Sequence, residues 1–430
     1  MRIFVTTSNH PLKNSTGNII VKNFIKNLKE NNSVFCIWFL YNQKKNGVSE
    51  NLDEIIIDIH DYNDAIEVLK KIKPDCILAN NNQYATIDHA FSLAAKFLKI
   101  PLIYYKIVDF TDEENSKNNL VIKNNLKKII KRVFLKDPET NRFIGSFIIH
   151  KNKFLFKTKN KIKINLIENI KSQFEHIVYN FNGKPEKRFS NLGDLNIVNN
   201  EMWSNVFKKC GINDEKIVIT GNPYWDEYYK IFSSRKISHE PIKKNPIKVL
   251  ILTTPLFEHG IWSKNQKDQN MSKLIEVLSK ENDIEFSFKI HPTSEYIDTY
   301  QQYIKNDKVK IFQNEFFWDI SDDYDLVISY GFSMIHIEVA LAGYRMILCN
   351  FNEKFRIMPM VDSGINSGFI QTCDNLDTLP LQIKNLANKK IEFDENYTNE
   401  VEKFLYKFDG NSGMRVAKAI QKLLKNDEFK

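Results

Sequence analysis

The 430-residue chain has little cysteine: Cys36, Cys76, Cys210, Cys349 and Cys373, each standing alone. With no CxxC pair and no neighbouring His pair, neither a zinc ribbon nor a disulfide framework is encoded, and a reducing compartment is expected. Long apolar runs are missing too. None reaches the roughly 18 residues of a membrane-spanning helix. The start, "MRIFVTTSNH", turns polar before a signal-peptide core can form, so a cytoplasmic chain is expected, soluble or peripheral on the inner face of the membrane. No GxGxxG follows a strand, which argues against a dinucleotide-dependent dehydrogenase. No Asp-x-Asp stands at a strand end, so no obligatory divalent ion and no other cofactor is expected. Charge is nearly balanced. Lys and Arg number 61 against 53 Asp and Glu, a net charge of +8, too mild for a nucleic-acid binder and compatible with an anionic small ligand or an anionic membrane.

What the chain does have is core. Hydrophobic residues make up 42% and aromatics 12%, enough for complete folding, and the length exceeds one ordinary core. β-rich runs alternate with amphipathic helical stretches, the pattern of parallel α/β units. "RIFVTT", "SVFCIWFLY", "EIIIDI", "CILANN" and "PLIYYKIV" read as strands. Between them, "NIIVKNFIKNLKE" carries Ile19, Ile20, Phe24 and Leu28 on one helical stripe, and "NDAIEVLKKIK" and "TIDHAFSLAAKFLK" read as further helices. A second series starts at "KVLILTTPLF" and runs through "EFSFKIHP", "VKIFQ", "DLVISYG" and "RMILCNF". The expected fold class is α/β: two Rossmann-like doubly wound domains facing across a cleft. The expected boundaries are residues 1–228, a linker at 229–246, a second domain at 247–405, and a C-terminal helix at 406–430 that crosses back to the first domain.

Residues 115–163 break the pattern. They hold a basic amphipathic segment and then the strand-like pieces "FIGSFIIH" and "KFLFKT". The segment is readable as a plain surface insertion with a solvated lysine face. It is also readable as a membrane-surface patch, in which Leu126, Ile129, Ile130, Val133 and Phe134 dip in while Lys127, Lys128, Lys131 and Arg132 meet anionic headgroups.

The polar residues that interrupt apolar runs fall at strand ends, where α/β folds bind ligands. In "SYGFSMIHIEVALAG", a strand ends in Ser329, a turn passes through Gly331 and Ser333, and a helix carries His336 and Glu338. The turn can cradle an anion, or Ser333 can simply cap the helix. Glu338 can accept from two hydroxyls of a ribose or stand in solvent, and His336 reads as packed or locally satisfied. In "FKIHPTSEY", His291 and Pro292 follow a strand directly, so the imidazole can face a phosphate. "ILTTPLFEHGIW" places Thr253, Thr254, Glu258 and His259 in the first βα loop of the second series. "VITGNPYWDEYY" makes a turn at Gly221, Asn222 and Pro223, and "FDGNSGMRVAKAI" sets Asp409, Gly410 and Arg415 around a helix start.

In their order and spacing, from about Asp194 to Ile420, these features resemble the C-terminal half of the GT-B glycosyltransferase superfamily. Similar sets occur in the non-hydrolysing UDP-N-acetylglucosamine 2-epimerases and in the CDP-glycerol and capsular polysaccharide transferases. The epimerase pattern has an "HR.EN" loop and a Glu-Glu pair where this chain has "TTPLFEHG" and "IHIE". The resemblance therefore implies a metal-independent glycosyltransferase. It would move a sugar from a UDP- or CMP-activated donor to a surface polysaccharide, glycolipid or protein glycan. Thr254, His259, His291, Pro292, Ser329, Gly331, Ser333 and Glu338 would hold the nucleotide-sugar. The acceptor-side base is expected among His10, Asp109 and Glu175, although His10 also reads as an exposed loop residue. The alternatives are a nucleotide-sugar 2-epimerase, a CDP-polyol phosphotransferase of the same fold, or a binding protein without a base. Expected partners are the donor, a glycan or glycolipid acceptor and an anionic membrane surface, with no nucleic acid.

Overall fold

The computed structural model describes residues 1–7, 16–29, 34–40, 54–80, 86–105, 144–165, 167, 170, 193–209, 211–233, 240–258, 261–292, 294–304, 309–330, 335–349, 351, 365, 368, 370–391, 399–400, 402 and 404–425. It divides into two compact units, one of Met1–Asp226 with Leu405–Lys430, the other of Glu227–Phe404.

The first unit is built on a seven-stranded sheet, β1 (Arg2–Thr7), β2 (Phe35–Leu40), β3 (Glu54–Asp58), β4 (Cys76–Asn80), β5 (Leu102–Tyr105), β6 (Leu195–Val198) and β7 (Ile217–Ile219), in the order β3-β2-β1-β4-β5-β6-β7. Every pairing is parallel. Helices cover both faces, so the central strands are apolar on both sides: Ile3, Phe4 and Val5 are all buried. The helix Thr16–Lys29 buries Ile20, Phe24 and Leu28, one stripe at four-residue spacing. Asp64 starts the helix Ala65–Ile72 by accepting from the Glu67 amide at 2.9 Å.

The strand-like pieces "FIGSFIIH" and "KFLFKT" are instead one helix, Ile144–Lys161. Tertiary packing overrides the β-branched and aromatic composition. Phe154 lies 6.0 Å from the Phe39 ring and 5.9 Å from the Phe91 ring, and Thr158 accepts from the Ala65 amide at 3.0 Å.

The two motifs "TGNPYWD" and "DGNSGMR" interlock within this unit. Asn411, at the cap position of the helix Ser412–Leu424, makes no side-chain cap bond. Asp226 does that work from another part of the chain, accepting from the Ser412 and Gly413 amides at 2.9 and 2.7 Å. Arg415 donates to both Asp409 oxygens at 3.0 and 2.8 Å and to the Thr220 carbonyl at 2.6 Å. Gly221 has φ +76, and a Cβ there would stand 2.6 Å from Ser412 Oγ. The motif pair is thus a lock that seats the last helix on the first unit. Asp226→Ala is expected to cost about 1–3 kcal/mol and to speed amide exchange across 412–424, read by hydrogen-exchange mass spectrometry. Asp226→Asn, which keeps one acceptor oxygen, should cost less.

The second unit has six parallel strands, β8 (Ile247–Leu252), β9 (Ile284–Lys289), β10 (Ile311–Phe312), β11 (Leu326–Tyr330), β12 (Met346–Cys349) and β13 (Ile370–Cys373), in the order β10-β9-β8-β11-β12-β13. Its helices include Lys264–Ser279, opened by a Ser263/Gln266 capping box, and Ile335–Leu341 after β11. No described helix is long and apolar enough to cross a membrane.

Candidate functional site

Strand order in the second unit reverses between β8 and β11. In open α/β sheets, ligands bind outside the carboxyl ends of the strands at such a reversal. Three strand ends are tied together there. Thr254, just past β8, donates from Oγ1 to the Tyr330 carbonyl at the end of β11, 2.5 Å away. Thr253 donates its amide to the Lys289 carbonyl at the end of β9, at 3.1 Å.

The third tie is Glu295, which is 1% exposed. Its Oε2 accepts from the Thr253 hydroxyl and, at 2.8 Å, from the His291 amide, while its Oε1 accepts from the Tyr300 hydroxyl. Burial pushes this carboxyl above its ordinary range, against the pull of those three donors and of Lys267, 3.9 Å away. One carboxylate therefore fixes the loop after β8 to the His-Pro loop after β9. Lys267 is itself held by Glu258 at 2.6 Å and lies 5.0 Å from the centre of the Tyr300 ring.

On β11, Ser329 is fully buried and its Oγ stands 2.6 Å from His336 Nε2. Burial pulls the His336 imidazole down to about 4, so it is neutral at physiological pH. Its support for the fold is complete above its ordinary value of 6.5 and is withdrawn as pH falls toward about 4. The Ser329 hydroxyl is therefore engaged inside the unit, where it ties the strand to the helix carrying Glu338. Glu338 is 7% exposed and lies in the field of Lys289. Burial lowers the Lys289 ammonium below its ordinary value, with Glu338, Glu315 and Glu295 opposing, and its Nζ donates to the Gln313 carbonyl at 3.0 Å.

Of the residues expected to hold a nucleotide-sugar, Thr254, His291, Pro292, Ser329 and Glu338 are described. Thr254 and His291 are joined to this network directly, Ser329 through β11, and Glu338 through the charge of Lys289. Pro292 is exposed beside His291, whose Nδ1 accepts from the Ser294 amide at 3.2 Å. His259, Gly331 and Ser333 lie outside the described residues, as do His10, Asp109, Glu175 and the basic segment 123–136. Among the described residues, no three His, Cys, Asp or Glu side chains are grouped to hold a metal ion.

Sequence reasoning missed Glu295 and Asp88. Glu295 left one signal, an acid four residues after His291 in the loop that leads into the helix Ile297–Gln301, which supplies Tyr300. Asp88, in the first turn of the helix Thr86–Leu98, lies at the β1/β4 reversal of the first sheet. It is 0% exposed, and neither carboxyl oxygen has a hydrogen-bond partner among the described residues. Its signal was position: Ile87, Ala90 and Phe91 around it are all core. Burial pushes the Asp88 carboxyl up to about 8, opposed by the nearby Thr6 hydroxyl and Lys151 ammonium.

Two parallel α/β units with sheets of this order define the two-domain architecture called GT-B. The chain is similar in fold to the Methanocaldococcus jannaschii UDP-GlcNAc 2-epimerase in complex with UDP-GlcNAc and UDP, with a TM-score of 0.51 and 14% identity over 98% of this chain and 99% of that one. It is likewise similar to MnaA of S. aureus, solved with UDP, with a TM-score of 0.51 and 13% identity over 98% of this chain and 96% of that one. No protein-family model and no curated protein sequence matches the chain.

Proposed function

We propose that the protein is a nucleotide-sugar enzyme, and specifically a glycosyltransferase. It would move a sugar from a UDP- or CMP-activated donor to a surface polysaccharide, glycolipid or protein glycan. The observation that carries this reading is the network at the β8/β11 reversal, where Glu295 and Thr254 hold three strand ends in one arrangement and leave the His291 imidazole at its border. A fixed donor aimed at the leaving phosphate is what such transfer requires. In this reading His291 contacts the phosphates, with His259, Gly331 and Ser333 in the neighbouring loops. Thr254, Pro292 and Ser329 shape the site, and Glu338 takes the ribose hydroxyls. His10, Asp109 or Glu175 supplies the base on the acceptor side.

The fold likeness to a UDP-GlcNAc 2-epimerase favours a second reading, epimerisation of the donor itself. Against it, the residue after Glu338 is Val339, which is fully buried, so no second acid stands beside the first on this helix.

Incubation with UDP-, GDP- and CMP-sugars separates the readings. A transferase consumes donor in an acceptor-dependent manner, whereas an epimerase converts donor alone, and transfer of a polyol phosphate would mark a CDP-polyol enzyme. Absence of binding to any of these nucleotides by calorimetry would overturn both. His291→Ala is expected to weaken UDP or CMP binding by about 1.5–3 kcal/mol, the worth of a charge-assisted hydrogen bond. An unchanged dissociation constant would reduce His291 to a structural residue.

A further inference from the structure

Four described cysteines are free thiols, and their positions in the two sheets differ in a way that matters chemically. Cys36 on β2 and Cys76 on β4 are both in register with Ile3 of β1, the strand that separates them. With neighbouring strands about 4.8 Å apart, that places their Cα atoms roughly 9.6 Å apart, beyond what a disulfide can bridge. Cys349 and Cys373 are direct register partners on the adjacent parallel strands β12 and β13. One strand spacing, about 4.8 Å, lies inside the Cα separation that disulfides adopt, and register partners project to the same face of a sheet. Each is the last residue of its strand, and β13 is the edge strand.

We propose that Cys349 and Cys373 form an oxidant-sensitive dithiol that closes to a disulfide across β12 and β13. The two thiols are chemically unequal. The interaction between the neighbouring thiols raises Cys349 well above the ordinary thiol value and lowers Cys373 below it. The Thr378 hydroxyl adds to the lowering at Cys373, while burial opposes it and the Cys373 S–H donates to the Asn375 carbonyl at 3.2 Å. Cys373 is thus the attacking thiolate and Cys349 the resolving thiol. With a peroxide as oxidant, the Cys373 thiolate attacks one oxygen and displaces hydroxide, leaving a sulfenic acid. The Cys349 sulfur then attacks the Cys373 sulfur, the S–S bond forms, and water leaves with the thiol proton. Two thiols and one hydrogen peroxide become one disulfide and two waters.

The bond would form on the edge that carries the candidate nucleotide site. Cys349 is the register partner of Tyr330, whose carbonyl accepts from Thr254. An effect on nucleotide affinity therefore rests on the function proposed above, but formation of the bond does not.

The test is thiol mapping on the full-length reduced protein. It is exposed to hydrogen peroxide at neutral pH, unfolded, alkylated, digested and analysed by mass spectrometry. The expected result is a peptide pair linked through Cys349 and Cys373, lighter by two hydrogens and released by dithiothreitol, with Cys36 and Cys76 still alkylated. In Cys349→Ser, Cys373 should accumulate as a sulfenic acid trapped by dimedone. Cys349 and Cys373 remaining alkylated to the same extent as Cys36 and Cys76 after oxidation would overturn the proposal, whatever the nucleotide assays show.

Discussion

Glu295→Ala is expected to destabilise the second unit by about 3–5 kcal/mol, the scale for removing one member of a buried charged network. The loss follows from what the carboxylate leaves behind. The Thr253 hydroxyl and the Tyr300 hydroxyl each lose an acceptor, and so does the His291 amide, whose N–H cannot rotate to find another. Lys267 keeps Glu258, so it is not stranded. Glu295→Gln separates charge from geometry. The amide oxygen can serve Thr253 and the His291 amide, and the amide nitrogen can face Tyr300, whose hydroxyl can turn to accept. Glutamine should therefore recover much of the stability, leaving a deficit of about 1–2 kcal/mol. Urea denaturation of the three proteins measures this. If the alanine variant stayed within about 1 kcal/mol of the parent, Glu295 would not be the tie the geometry describes. Because Glu295 orients the His-Pro loop, the glutamine variant should also bind UDP or CMP nearly as the parent does.

That carboxylate also marks where the sequence stopped being readable. Parallel strands covered on both faces appear as uninterrupted apolar runs, so "KVLIL" and "DLVIS" announced β8 and β11, and Ile20, Phe24 and Leu28 announced a helix. The helix Ile144–Lys161 was illegible because its character is set by distant partners. Phe154 and Leu155 are buried while Ile149 is 70% exposed, and local composition favours a strand. β13 was missed because only Ile370 and Cys373 of its four residues are buried, too short a pattern to register. At the site, His291 and Ser329 were visible because histidine and serine at strand ends are unusual against apolar runs. Glu295 looked like any solvated loop acid, and only the fold brings Thr253 and Tyr300 to it. The turn at "TGNP" and the "DGNSG" stretch were legible as motifs, but their mutual engagement through Asp226 spans about 190 residues of chain and leaves no local trace.

Asp88→Asn should stabilise the first unit, by much more at pH 8 than at pH 5. The Asp88 carboxyl is pushed from its ordinary 3.8 up to about 8 by burial. Between those values the unfolded chain has released the proton and the folded chain still holds it, so raising the pH favours unfolding. Stability contributed by the protonated acid is therefore complete below about 4 and is lost progressively up to about 8. Lys151 works in the opposite window. Burial lowers its ammonium from 10.5 to about 8, with Asp88 opposing. Between about 8 and 10.5 the unfolded chain carries the extra proton, and raising the pH favours folding. The two windows meet near pH 8, where the first unit should be least stable. Asparagine keeps the shape of the side chain and removes the acid, so the descending limb should flatten, and the variant's advantage should grow by about 2–4 kcal/mol between pH 5 and pH 8. The ascending limb should remain and begin at lower pH, because Lys151 loses the Asp88 charge that opposes its burial. Urea denaturation of parent and variant from pH 5 to pH 10 distinguishes the outcomes. Parallel curves would mean that Asp88 carries its charge in the folded state.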